Sequence, residues 1–176
     1  MTREVRGLYV GRFQPFHKGH LKVVKELLGR VDELVIVVGS AQSSHELTNV
    51  FTAGERISMI KRALTEGELD LSRFYIVPVD DTTVHSIWVS HLMSYVPKFD
   101  VVFTNEPLTR RLFAEAKIKV QAIPKYERKI YSSTEVRRRM INGENWEELV
   151  PEAVADYIKS IDGVERLKDL LKSDKT

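Results

Sequence analysis

The stretch Val5-Arg6-Gly7-Leu8-Tyr9-Val10-Gly11-Arg12-Phe13-Gln14-Pro15-Phe16-His17-Lys18-Gly19-His20 reads as a strand, a tight turn and the opening of a helix. Val5–Val10 is short, β-branched or aromatic, and stops at Gly11, as a strand feeding a turn does. Beyond it, Leu21, Val24, Leu28 and Val31 recur at spacings of three and four, the period of an amphipathic helix. The turn lacks the Gly-x-Gly-x-x-Gly dinucleotide fingerprint, and it lacks the Gly-Lys-Ser/Thr phosphate loop. It carries two histidines three apart around a glycine instead.

The same alternation continues outward. Glu33–Val38 is a continuous apolar run ending at Gly39, and Phe74–Val79, Asp100–Thr104 and Ile118–Ile123 follow in the same style. Apolar runs without alternation imply burial on both faces, hence a parallel sheet. Helical periodicity separates them: Ile57, Ile60 and Leu64; Ile87, Leu92 and Tyr95; Leu112, Phe113 and Ala116. Thr52-Ala-Gly-Glu55 and Ser132-Ser-Thr-Glu135 are capping boxes that start helices, the second running through Met140 to a stop near Gly143. After Pro151 a helical tail carries Ala155, Ile158, Ile161, Val164, Leu167 and Leu171. The order β-α-β-α-β-α-β-α-β-α-α predicts an α/β fold with a doubly wound parallel sheet, as one domain over 1–176 with a small C-terminal helical extension at 151–176. The polar segment Ser40–Phe51 is a candidate lid or substrate loop, and reads at least as well as an ordinary connection. In such folds ligands bind beyond the C-terminal strand ends, so the segments after Val10, Val38, Val79, Thr104 and Ile123 should converge.

Composition narrows the function. The 176 residues are 43% apolar and 30% charged, which excludes general disorder. A net charge of +2 argues against sequence-independent nucleic-acid binding. The absence of cysteine excludes disulfides, thiolate metal sites and thiol nucleophiles. The longest aliphatic run, Leu34 to Val38, is far short of the ~20 residues that cross a bilayer. No apolar signal segment follows the charged stretch Met1–Arg6. A soluble cytoplasmic protein with no membrane partner is expected.

Two segments carry the chemistry of anions. In the first turn, Gly11 permits close approach of backbone N–H groups to a phosphate, and Arg12 supplies charge. His17 and His20, at i and i+3 on an opening helical turn, can face one side where the helix terminus favours anions. The alternatives are two helix-end histidines without a role, which the preceding strand, Gly11 and Arg12 disfavour, and a zinc pair, for which His45, His85 and His91 lack ligand spacing. In the second segment Ser132, Ser133 and Thr134 place hydroxyls and amides at a helix N-terminus, with Arg137 to Arg139 following. Residues ~100° apart cannot all face one ligand, so a capped helix with a solvated basic face is the competing reading. Trp88 sits in an amphipathic pattern and reads as core; Asp80 and Asp81 end the third strand and read as loop caps or Mg²⁺ ligands. Ser40 touches a phosphate or only closes a turn.

His17-Lys-Gly-His20 resembles the His-x-Gly-His signature of the nucleotidyltransferase superfamily, which includes class I aminoacyl-tRNA synthetases. The longer string Gly11–His20 is similar to archaeal-type nicotinamide mononucleotide (NMN) adenylyltransferases. The likeness continues through Gly39–His45, Phe51–Arg56, Ser86–Val89, Tyr131–Met140 and Gly163–Arg166, nearly the whole chain. It implies a Rossmann-like nucleotidyltransferase fold and the reaction ATP + NMN → NAD + pyrophosphate. By the same resemblance Arg12, His17, His20 and Arg137 are catalytic, and Gly11, Phe13, Gln14, Gly39, Ser40, Ser132, Ser133 and Thr134 bind ATP phosphates. Trp88 and Asp81 lie on the nicotinamide side; Mg²⁺ is held mainly by substrate phosphates rather than by the protein; a homo-oligomer, a hexamer, is implied. Arg138 and Arg139 stay outside the site. Two departures stand out: Thr48 where some relatives are basic, and Glu106 where Asn is common. Other transferases on the same signature (phosphopantetheine adenylyltransferase, a cytidylyltransferase, an FAD-forming enzyme) and a non-catalytic NAD or ATP sensor are the rival readings.

Overall fold

Five apolar runs become five strands of one sheet. They are β1 (Arg6–Gly11), β2 (Glu33–Val38), β3 (Phe74–Pro78), β4 (Val101–Phe103) and β5 (Lys119–Gln121), all parallel, in the order β3-β2-β1-β4-β5. The computed structural model describes residues 4–126 and 129–173. The first three residues of the charged N-terminal stretch and the last three of the C-terminal extension lie outside the described residues.

Burial follows sheet position. β1, β2 and β4 are central, and Leu8, Val35, Ile36, Val37 and Val102 are fully buried. The edge strands β3 and β5 are only half-buried, so a continuous apolar run is a signature of the middle of this sheet. β4 and β5 are also shorter than their apolar runs. Past Gln121 the ladder gives way to a side chain: the Asn105 amide donates to Ile123 O at 2.7 Å and its Oδ1 accepts from Ile123 N at 3.0 Å.

Helices cover both faces, as the parallel sheet requires. On one face Leu8, Val35, Val37 and Val102 pack with α3 (Trp88–Met93) and α4 (Pro107–Glu115) through Val89, Leu92 and Phe113. On the other, α1 (Lys18–Leu27), α2 (Ala53–Glu66) and α5 (Ser133–Asn142) bury Val24, Leu27, Ile60, Leu64, Val136 and Met140. The tail forms α6 (Glu152–Ser160) and α7 (Gly163–Ser173), and its Val154, Ile158 and Leu167 join that second core. Arg166 of α7 pairs with Glu55 of α2 at 2.7 Å, tying the tail to the helices on that face of the sheet. Among the described residues no helix is long and apolar enough to cross a membrane.

The caps explain where helices start. Thr52 and Glu55 exchange both bonds of a capping box, as expected. At α5 only half of the expected box forms: Ser132 Oγ accepts from Glu135 N, while the Glu135 carboxylate turns to Arg138 and Arg139. Gly143 ends α5 at φ 67, the left-handed cap that glycine adopts freely. α3 spans six residues, not the longer helix expected, and leaves Ile87 and Tyr95 outside it and exposed.

Candidate active site

β1 pairs with β2 on one side and β4 on the other, so connections diverge at its C-terminal end. That divergence opens the crevice where parallel α/β sheets bind ligands. Two cavities flank it. One, of about 520 Å³, is lined by Gly11, Arg12, Ser40, Asp81, Trp88 and Glu106 among others. The other, of about 340 Å³, is lined by His17, His20, Asn105, Tyr131, Ser132 and Ser133 among others.

The imidazole pair is fixed by the start of α1. His17 is the N-cap and its Nδ1 accepts from His20 N at 3.3 Å, while His20 Nδ1 accepts from His17 N at 3.2 Å. The histidines thus form a capping box with each other, a use of the motif that hydrophobic periodicity does not reveal. The rings stack with centroids 3.6 Å apart. A ring nitrogen that accepts carries no proton, so each neutral imidazole has its proton on Nε2. Burial pushes His17 down to about 3. Burial, and then the neighbouring His17, holds His20 well below the usual imidazole range. The pair is therefore neutral at pH 7 and presents Nε2–H donors. Gly19 makes the packing possible: a Cβ there would lie 2.9 Å from Tyr131 Cβ and 3.0 Å from the His17 ring.

α5 docks on the same turn. Ser133 Oγ donates to Pro15 O at 2.9 Å, and Arg137 Nη1 donates to Gln14 O at 2.7 Å. Burial, and secondarily the nearby Arg12, lowers the Arg137 pKa. Arg138 pairs with Glu135 and Glu144, and Arg139 with Glu135 and Glu148, which keeps both off the site.

The side chains proposed from sequence divide into two groups. Gly11, Arg12, Gly39, Ser40, Asp81 and Trp88 meet at the larger cavity; His17, His20, Ser132 and Ser133 meet at the smaller. Phe13, Gln14, Thr134 and Arg137 line neither. Phe13 is buried edge-on to Tyr9 and His20. The Gln14 amide is spent on Phe51, donating to its carbonyl at 2.9 Å and accepting from its N–H at 2.8 Å. The Phe13 and Gln14 side chains are therefore spent inside the protein. Thr134 is exposed. Trp88 packs edge-on to Phe113 at 5.7 Å and also lines the larger cavity.

Two contributors, Gln42 and Arg56, are not singled out by the sequence, and Glu106 stands out there only as a departure. Gln42 clasps Asp81, donating to Oδ2 at 2.9 Å and accepting from Asp81 N at 3.0 Å, which pins the segment after Ser40 to the end of β3. Glu106 is the N-cap of α4 and accepts from Leu108 and Thr109 N–H. Burial raises its carboxyl, but the Thr109 and Leu108 donors outweigh that and hold it below the usual range. Arg56 is fully buried behind the larger cavity. Among the described residues no group of three or more His, Asp or Glu side chains could hold a metal.

A parallel sheet with a neutral His-x-Gly-His pair at its switch point, facing a second helix N-terminus, defines a nucleotidyltransferase-type site. Residues 8–139 match the cytidylyltransferase-like family model. The chain is 53% identical to the nicotinamide-nucleotide adenylyltransferase of Archaeoglobus fulgidus, over 94% of this chain and 97% of that one. It is 52% identical to that of Saccharolobus solfataricus, over 97% and 99%. A bifunctional NMN adenylyltransferase/ADP ribose pyrophosphatase of Francisella tularensis, solved with AMP and a manganese ion, shares the fold at TM-score 0.80 and 22% identity. The likeness covers 98% of this chain, which spans about half (53%) of that bifunctional protein. This chain belongs to the archaeal nicotinamide-nucleotide adenylyltransferases within the cytidylyltransferase-like family.

Proposed function

We propose that the chain transfers the adenylyl group of ATP to NMN, giving NAD and pyrophosphate. The observation that carries the reading is the pair of adjoining cavities at one sheet edge, one with neutral Nε2–H donors and a helix N-terminus, the other with an aromatic wall and carboxylates. ATP phosphates suit the first. NMN suits the second: its pyridinium ring carries a permanent positive charge, which the Trp88 ring and the Asp81 and Glu106 carboxylates favour.

The nucleophile is a 5′-phosphate oxygen of NMN, which attacks the α-phosphorus of ATP; the bond from that phosphorus to the bridging oxygen breaks and pyrophosphate leaves. A phosphate monoester has its second pKa near ~6, so it is already dianionic at neutral pH and needs no catalytic base. The protein's task is to hold two polyanions in line and offset their repulsion. His17 and His20 Nε2–H groups and Arg12 serve the α/β-phosphate region. Arg137 and the amides near Ser132–Thr134 serve the β/γ-phosphates. Mg²⁺ enters as part of the MgATP substrate. The protein's own donor set fits this, because Asp81 and Glu106 are engaged by Gln42 and by the α4 amides.

The same reading takes residues 1–176 as a single catalytic domain, in which the tail helices brace α2 and α5, working in the cytoplasm as a homo-oligomer. A substrate panel with pyrophosphate release tests the activity. NMN with MgATP should turn over, whereas phosphopantetheine or CTP substituted for one partner should not. His20→Ala should lower kcat by about 10²–10³-fold, the scale of losing one preorganised donor. Binding without turnover would assign the chain as a sensor.

A further inference from the structure

Arg56 touches neither cavity, yet it reaches the backbone of both loops that edge the larger one. Its Nη1 donates to Arg12 O at 2.8 Å and to Gly39 O at 2.7 Å, and its Nη2 donates to Ser40 O at 3.0 Å. Nε donates to Thr52 O at 3.2 Å, at the start of its own helix. The side chain is fully buried and, among the described residues, no carboxylate pairs with it. Burial lowers its pKa to about 10, with Arg12 adding to the effect and Asp81 opposing it, so it stays cationic at neutral pH.

A core arginine that merely satisfies carbonyls would account for the bonds alone. The geometry of the peptides it holds goes further. In a trans peptide the C=O and N–H point in opposite directions. Turning the Arg12 carbonyl toward Arg56 sends the Phe13 N–H away from it, and turning the Gly39 carbonyl does the same to the Ser40 N–H. Neither amide donates to another described residue. Both residues also adopt left-handed backbone without being glycine, Phe13 at φ 53 and Ser40 at φ 48. Such conformations persist where the surroundings over-determine them, and they gather at functional sites. The two amides sit just beyond the ends of adjacent parallel strands, so one side chain sets both.

We propose that Arg56 is a positioning residue: it orients the Phe13 and Ser40 N–H groups, with its own unneutralised charge behind them, into an anion site for substrate phosphate. The inference rests on the reading above that this crevice takes phosphate-bearing substrates. It acts through backbone, so the conservative change Arg56→Lys is informative. Lysine keeps a cation but cannot fork to carbonyls on two loops.

The test combines amide resonances of the full chain, titrated with inorganic pyrophosphate, and steady-state kinetics of Arg56→Lys. In the wild type the Phe13 and Ser40 amide signals should shift on titration. In the variant those shifts should vanish, and kcat per folded molecule should fall about 10²-fold, the scale of a misplacement near the reacting atoms. Thermal melting counts the folded fraction; a purely structural role would lower the melting temperature and leave the kcat of the folded molecules intact. Unmoved Phe13 and Ser40 amides in a wild type that turns over, or a variant with wild-type kcat, would overturn the proposal. If the variant does not fold, the wild-type titration still tests the proposal, because unmoved Phe13 and Ser40 amides overturn it. Amide shifts in a wild type that makes no NAD would sink the proposed activity and leave this inference standing.

Discussion

His17 and His20 show how a residue type with several uses is narrowed by its neighbours. Charged imidazolium, metal ligand and neutral donor are all open to a lone His-x-x-His. The reciprocal Nδ1 bonds to backbone amides leave only the Nε2–H form. Stability should report it. The His17 pKa lies near 3 in the native state against ~6.5 in an unfolded chain, so the unfolded chain takes up the proton first as pH falls. The stabilisation is complete above about pH 6.5 and is lost progressively toward pH 3. His17→Asn keeps an N-cap and removes the titrating group. Between pH 7 and pH 4 the wild-type melting temperature should fall further than the variant's. Parallel falls would mean that His17 is already charged in the native protein. The motif and its spacing were legible in sequence; the tautomer was not, because it depends on which ring atom meets which amide. Arg56 was less legible still, since one arginine in a helical pattern looks like a solvated charge until its carbonyl partners are seen.

At the scale of elements, the site is a meeting of α1 and α5 on one turn. α5 is held there by Ser133 on Pro15 and Arg137 on Gln14, two bonds across more than a hundred residues of chain. Local signals located both helix starts, but only the tertiary structure shows that the half-formed box at Ser132 frees Glu135 to hold Arg138 and Arg139 away. The shorter α3 was missed because its apolar spacing extends past the residues that pack: Val89 and Leu92 are buried while Ile87 and Tyr95 face solvent. Arg137→Ala should raise the KM for ATP about 10–100-fold, the value of a lost charge-assisted hydrogen bond, with the KM for NMN little changed. Equal increases for both substrates would move Arg137 out of the triphosphate site.

For the whole molecule, alternating apolar runs and helical periods announced a parallel sheet, because burial on both faces removes the period-two pattern from central strands. The lateral order β3-β2-β1-β4-β5 could not be read the same way: periodicity says how a strand is buried, not which strand lies beside it. That order puts the divergence at β1, and with it both cavities at the motif that β1 feeds. In the proposed reaction the NMN phosphate attacks the α-phosphorus of ATP directly across that crevice. Phosphorus-31 NMR of the products formed from MgATP and NMN labelled with oxygen-18 on its phosphate tests it most directly. All of the label should be found in NAD and none in pyrophosphate. Label in the released phosphate, or ADP and orthophosphate in place of pyrophosphate, would contradict it.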